Sequence, residues 1–140
     1  MSDRSRIDID AVLLAESANA GSLQALRDRV REVGQRYGLA DMRLAKFVLV
    51  VHELAVNAIR HGGGWAAIVV WRNGVGLRCS VTDHGRGIPQ RYVNPGPGVS
   101  EAETPRCGLR LVRRICPDIR VNTSSHGTHI EIDYPTSHNG

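Results

Sequence analysis

The chain has 140 residues and a formal net charge of +4, with 41% hydrophobic and 23% charged residues, the size and balance of one soluble globular domain. That balance excludes a collagen-like, mucin-like or wholly disordered chain. No apolar run is long enough to span a bilayer, the longest being FVLVV before His52, and the first residues lack a secretory signal, so a cytoplasmic protein without membrane contact is expected.

Residues 1–10 are polar and expected to be flexible; the domain is expected over 11–135 and a flexible tail over 136–140. Ala11 to Ala15 reads as a short edge strand or an extended lead-in. From Ser22 to Tyr37 the apolar positions Leu23, Leu26, Val30 and Val33 keep helical spacing. Ser22 suits the N-cap and Gly38 the stop. Asp41 is expected to cap a second helix that ends near His61 at Gly62-Gly63-Gly64. This helix is so apolar that burial on most sides follows. At ~100° per residue, Lys46, Glu53, Asn57 and Arg60 fall on one stripe, with His61 at its edge. A buried helix with one polar stripe suggests a wall opening onto a pocket.

Trp65 to Trp71 and Gly76 to Thr82 read as strands, joined by a hairpin turn in Arg72-Asn73-Gly74-Val75. Leu77, Cys79 and Val81 alternate with Arg78, Ser80 and Thr82, as one buried face requires. Asp83 to Thr104 is Gly- and Pro-rich and is expected to be an irregular loop serving as a mobile lid. Gly108 to Cys116 reads as a third helix. Ile119 to Thr123 and Thr128 to Tyr134 read as a hairpin around Ser124-Ser125-His126-Gly127.

Several chemistries are excluded. Lys46, the only lysine, sits in Ala-Lys-Phe, so no phosphate-binding Gly-Lys-Ser/Thr loop exists. A zinc-protease helix beginning at His52-Glu53 needs its second histidine where Val56 stands. His126 and His129 alone make a poor metal site. The arginines are scattered, without a basic run or finger spacing, so direct nucleic-acid binding is not expected. Cys79, Cys107 and Cys116 are odd in number and form no CxxC, the pattern of free thiols.

Four constellations remain. Glu53-Leu-Ala-Val-Asn57 puts a carboxylate and an amide on one helical face. The amide oxygen suits Mg²⁺ and the carboxylate suits deprotonation of a hydroxyl or water. Spacing alone equally fits an exposed polar face, but the apolar surroundings speak against that. Asp83-His-Gly85-Arg-Gly87-Ile88 follows a strand. Its aspartate can accept from an exocyclic amine and its glycines permit close approach, yet a capped turn is the simpler reading of this motif in isolation. Thr104-Pro-Arg106-Cys-Gly108-Leu109 opens a helix whose N-terminal amides suit phosphate, or it begins a solvated basic face. Gly127-Thr128 is a turn glycine with a β-branched neighbour.

The order of these four is what informs. Together they resemble the N box, G1 box, G2 box and terminal Gly-Thr of the Bergerat-fold, histidine-kinase-like ATPases. Within that superfamily they are most similar to the anti-sigma factor serine/threonine-protein kinases, over roughly Ala11 to Tyr134. The resemblance implies a two-layer α/β sandwich, with helices on one face of a mixed, mostly antiparallel sheet. It implies ATP and Mg²⁺ as cofactors, with Glu53 as general base and Asn57 as metal ligand. Asp83 would read adenine, Gly85 and Gly87 would shape its pocket, Gly108 and Leu109 would line the phosphate side, and Thr128 would support the base. His61, Ile88 and Arg106 lie within the matching boxes and join the ATP-contact candidates. The implied partners are a sigma factor and an anti-sigma factor antagonist, and a homodimer is allowed. The family's G2 box usually carries glycine where Arg106 stands. The alternative reading is therefore a non-catalytic module that works by sequestering a partner.

Overall fold

A computed structural model describes residues 11–74, 76–87 and 108–136. Five strands form one sheet in the order β1-β2-β3-β5-β4: β1 Val12–Ala18, β2 Ala66–Asn73, β3 Gly76–Asp83, β4 Arg120–Ser124 and β5 Gly127–Pro135. Each of the four pairings is antiparallel. The expected α/β sandwich is present, and the strand pairs among the described residues are all antiparallel. Three helices, α1 Leu23–Arg36, α2 Asp41–His61 and α3 Gly108–Ile115, accompany the sheet.

The strands alternate as a one-sided sheet must. Ile68 and Val70 of β2, Cys79 and Val81 of β3, and Ile130 and Ile132 of β5 are buried in one core with Leu26 and Val30 of α1, Phe47, Val51 and Leu54 of α2, and Val112 of α3. The other face carries charge: Arg78 pairs with Asp133 at 2.6 Å, and Arg120 pairs with Asp133 at 3.0 Å and Glu131 at 3.1 Å. Toward β2 that face turns apolar, with Val69 opposite Ser80 and Trp71 buried opposite Arg78. Two cysteines are core residues as expected, and Cys107 lies outside the described residues. Burial and then neighbouring Cys116 push the Cys79 thiol up to about 12; burial, then Asp133 and Asp118, push Cys116 up to about 11. Neither is a nucleophile near neutral pH.

Several boundaries differ from the sequence reading, each for a local reason. β1 runs to Ala18, because Ser17 and Ala18 still pair with Ala67 and Ala66. Ser22 occupies the N-cap of α1 but its hydroxyl does not cap that helix. It accepts from the Asn19 amide at 2.9 Å, while the Asn19 side chain accepts from Gly21, so the pair closes the preceding 3₁₀ turn, Ala20–Ser22. Asp41 is not the cap of α2: Ala40 is, and Asp41 is the first helical residue, at φ 51°. Its carboxylate complements the helix N-terminus from the first turn instead. In the β2–β3 turn Asn73 pairs with Gly76, one residue later than Asn-Gly at the turn centre would give. α3 ends at Ile115, with the Cys116 amide still bonded to the Val112 carbonyl at 2.7 Å. The expected loop from Asp83 starts one residue later, because Asp83 is still the last residue of β3; the rest of the proposed lid from residue 88 on, with Ile88 and Arg106, falls outside the described residues.

α2 is the axis of the molecule. Its 21 residues contain no glycine or proline, so nothing interrupts it. It packs on α1, α3 and the inner face of the sheet. One side stays open, where Met42 is 68% and Leu49 37% exposed.

Candidate functional site

The site gathers where α2 ends against the sheet. Asp83 is the last residue of β3 and is 2% exposed. Its Oδ1 accepts from the Gly85 amide at 2.9 Å, which folds the chain sharply after the strand. Thr128 faces it across the β3–β5 ladder and is 3% exposed. Residues opposite each other in a ladder share a face of the sheet, so both side chains point toward the helices. The Thr128 hydroxyl shares a 2.9 Å hydrogen bond with Thr123 on β4, which fixes its rotamer.

Glycines make this convergence possible. A Cβ on Gly62 would lie 2.2 Å from the Asp83 carboxyl carbon, so the end of α2 presses directly on that side chain. A Cβ on Gly85 would lie 2.4 Å from Gly62 Cα and 2.8 Å from the His61 carbonyl oxygen. Gly87 and the turn residue Gly127 close the same corner: a Cβ on either would meet a backbone oxygen, of Ser124 or Asp83, at 2.1 Å. Three chain segments, the end of α2, the turn after β3 and the β4–β5 turn, thus meet around one buried carboxylate. His61 joins them through its backbone while its side chain is exposed.

On α2, Asn57 is one turn before His61 and is 5% exposed. Its side-chain nitrogen is buried and has no hydrogen-bond partner among the described residues. A buried amide donor left unmatched costs about 1–3 kcal/mol, so the position calls for a polar ligand group. One turn earlier Glu53 is half-buried, and among the described residues no hydrogen bond or ion pair engages its carboxylate. Gly108 starts α3, and Leu109 is 4% exposed in the core. The Leu109 side chain therefore anchors the start of α3 by packing.

The structure thus places Glu53 and Asn57 on consecutive turns of α2, and Gly62 at its end against Asp83 and Gly85, with Thr128 opposite Asp83 across the ladder and Gly87 against the β4–β5 turn. Gly62 was legible only as a helix stop. The signal that it does more is the run Gly62-Gly63-Gly64, of which only Gly62 meets a neighbour within 4 Å; Gly63 and Gly64 face open space. The residue set fits a purine nucleotide with its phosphates. A buried acceptor stands at one end, close-approach glycines surround it, and an unmatched buried amide follows. Among the described residues no cluster of His, Cys, Asp or Glu has the makings of a metal site, so a cation here would rest on the Asn57 amide oxygen and on oxygens of the nucleotide itself. No helix among the described residues is long and apolar enough to cross a membrane.

No curated protein matches the chain significantly. The carboxylate–amide pair on α2 and the glycine-framed aspartate after β3 nevertheless have a known setting: the model of the histidine kinase-like ATPase domain matches residues 16–134, nearly the whole chain, and this chain belongs to that ATP-binding family.

Proposed function

We propose that this ATPase-family domain is an anti-sigma factor with protein serine/threonine kinase activity. It sequesters a sigma factor and phosphorylates an anti-sigma factor antagonist. The observation that carries the reading is Glu53, a half-buried carboxylate without a partner, one turn from the unmatched Asn57 amide.

In this reading Asp83 accepts from the adenine amine, with Thr128 supporting the contact. The Asn57 amide oxygen holds Mg²⁺, which when bound neutralises charge on the phosphates. Glu53 takes the proton of the attacking serine or threonine hydroxyl. The hydroxyl oxygen bonds to the γ-phosphorus of ATP, the bond to the β,γ-bridging oxygen breaks, and ADP leaves. Such transfer is mostly positioning and electrostatics, so few groups suffice.

The test is incubation with γ-labelled ATP, Mg²⁺ and candidate antagonists from the same genome. Label is expected on serine or threonine of one antagonist. Glu53→Gln keeps shape and hydrogen-bonding capacity but loses basicity, so transfer should slow ~10²-fold or more while Mg-ATP affinity holds. Transfer at the wild-type rate in that variant would remove Glu53 from the mechanism. A second reading, sequestration without catalysis, draws on Arg106 standing where the family's kinases usually have glycine. ATP binding with no label on any antagonist would favour it.

A further inference from the structure

A second basic surface lies at the far end of α2. It is a cavity of about 650 Å³ lined by Arg43 and Lys46 from α2, Arg114 at the end of α3, Asp118, and Tyr134 and Pro135 at the end of β5. From Lys46 to Gly62 is ~24 Å of helix, so this cavity is remote from Asp83. It is close to Glu53, however. Lys46 precedes Glu53 by two turns, ~10 Å, on the same side of the helix.

Two of these cations, Arg43 and Lys46, have no acidic partner among the described residues. Arg43 is held in place by a hydrogen bond to the Pro135 carbonyl and by the Tyr134 ring, 5.7 Å from its guanidinium carbon. The Tyr134 hydroxyl donates to the Arg43 carbonyl at 2.8 Å, locking the pair. Among the described residues no carboxylate pairs with Arg43. Lys46 is exposed, and among the described residues it has neither ion pair nor hydrogen bond. Asp133, which reaches the cavity wall, is already committed to Arg78 and Arg120. Beside the cations, Met42 and Leu49 leave apolar surface on the open side of α2. A free phosphate would use the charge and waste the apolar surface; a polypeptide uses both.

We propose that this cavity and the open N-terminal half of α2 dock an acidic segment of the protein acceptor. Resting on the kinase reading, the placement is mechanical. Nucleotide spans Asp83 to Asn57, Glu53 stands at its phosphate end, and an acceptor hydroxyl arrives from beyond Glu53. Leu49, Lys46, Arg43 and Met42 are the groups it meets there. Acidic side chains flanking the hydroxyl pair with Lys46 and Arg43, and an apolar side chain covers Met42 and Leu49.

The unique lysine makes the test direct. Carbon-13 lysine labelling puts one side-chain NMR signal in the cavity of the full chain. The probes are a serine peptide flanked by glutamates with one leucine, its arginine-for-glutamate counterpart, and pyrophosphate, each with and without a non-hydrolysable ATP analogue. The acidic peptide should shift the Lys46 signal and the basic one should not. Lys46→Glu should weaken acidic-peptide binding at least tenfold, read by fluorescence anisotropy, while Mg-ATP affinity stays within twofold and certifies the fold. Arg43→Glu should act in the same direction. A Lys46 signal unmoved by the acidic peptide, one moved only by pyrophosphate, or unchanged peptide affinity in both variants overturns the proposal. Failure of the kinase reading appears elsewhere, as lost Mg-ATP binding or transfer in the wild-type protein, on which the Lys46 signal does not depend.

Discussion

The two ends of α2 are built on opposite principles. At its C-terminal end, Gly62 leaves no room: backbone from three segments closes on Asp83. At its N-terminal end, Arg43 and Lys46 border an open cavity, and Met42 is 68% exposed. Crowding suits a ligand read atom by atom, because each contact is fixed before the ligand arrives. Openness with uncommitted charge suits a larger partner that brings its own shape. One uninterrupted helix joins the two, so whatever grips one end is held in fixed register with the other.

The sharpest way to break this contrast is to add one methyl at each kind of glycine. Gly62→Ala puts a Cβ 2.2 Å from the Asp83 carboxyl carbon. Overpacking of that sort costs about 1–3 kcal/mol, and here it also displaces the adenine-reading group. Mg-ATP affinity should fall by tenfold or more in calorimetry, with a lowered urea midpoint. Gly63→Ala is the control: at φ 96° with nothing within 4 Å, it meets only backbone strain. It should lose stability but keep its affinity. If both variants bind ATP as the wild type does, Asp83 is not the adenine contact.

Asn57 allows a subtler test, because stability and binding should move in opposite directions. Its side-chain nitrogen is buried and unmatched. Asn57→Leu has a similar shape and removes the orphan donor, so the nucleotide-free domain should gain roughly 1 kcal/mol in urea unfolding. Mg-ATP affinity should be lost at the same time. A less stable variant, or one that still binds, would mean that the amide is not waiting for a ligand.

The two ends also differ in how far the sequence discloses them. Glu53 and Asn57 sit in one helix, so helical spacing alone puts them together. The alternation of Leu77, Cys79 and Val81 likewise announces the buried face of β3. Gly62 against Asp83 is a contact between a helix end and a strand end, and no local pattern encodes it. The basic cavity draws on α2, α3 and β5, so although helical spacing puts Lys46 on the polar stripe of α2, its meeting with Arg43 and Arg114 at one cavity shows only once the fold assembles them. Asn19 and Ser22 show a related miscue: both are good capping residues, and which turn they cap depends on where β1 releases the chain.

The smallest effect belongs to the outer face of the sheet, between the two ends. Burial alone would raise the Asp133 carboxyl, but hydrogen bonds from Arg78 and Arg120 outweigh it and hold the carboxyl below its ordinary range. The unfolded chain has no such partners, so at acid pH it binds the proton more readily than the folded chain does. The stabilisation is therefore complete above the ordinary aspartate value of ~3.9 and is lost as pH falls through the lower folded value. The side chain is 34% exposed, and solvent screening limits the gain to about 0.2–1 kcal/mol. Urea midpoints measured from pH 6 down to pH 2 should fall in the acid range for the wild type and fall less for Asp133→Asn. Because Asp133 lies five residues along β5 from Thr128 and on the opposite face of the sheet, the same variant should bind Mg-ATP normally. Weakened ATP binding in Asp133→Asn would show that the outer network supports the nucleotide corner through β5, which also carries Thr128 opposite Asp83.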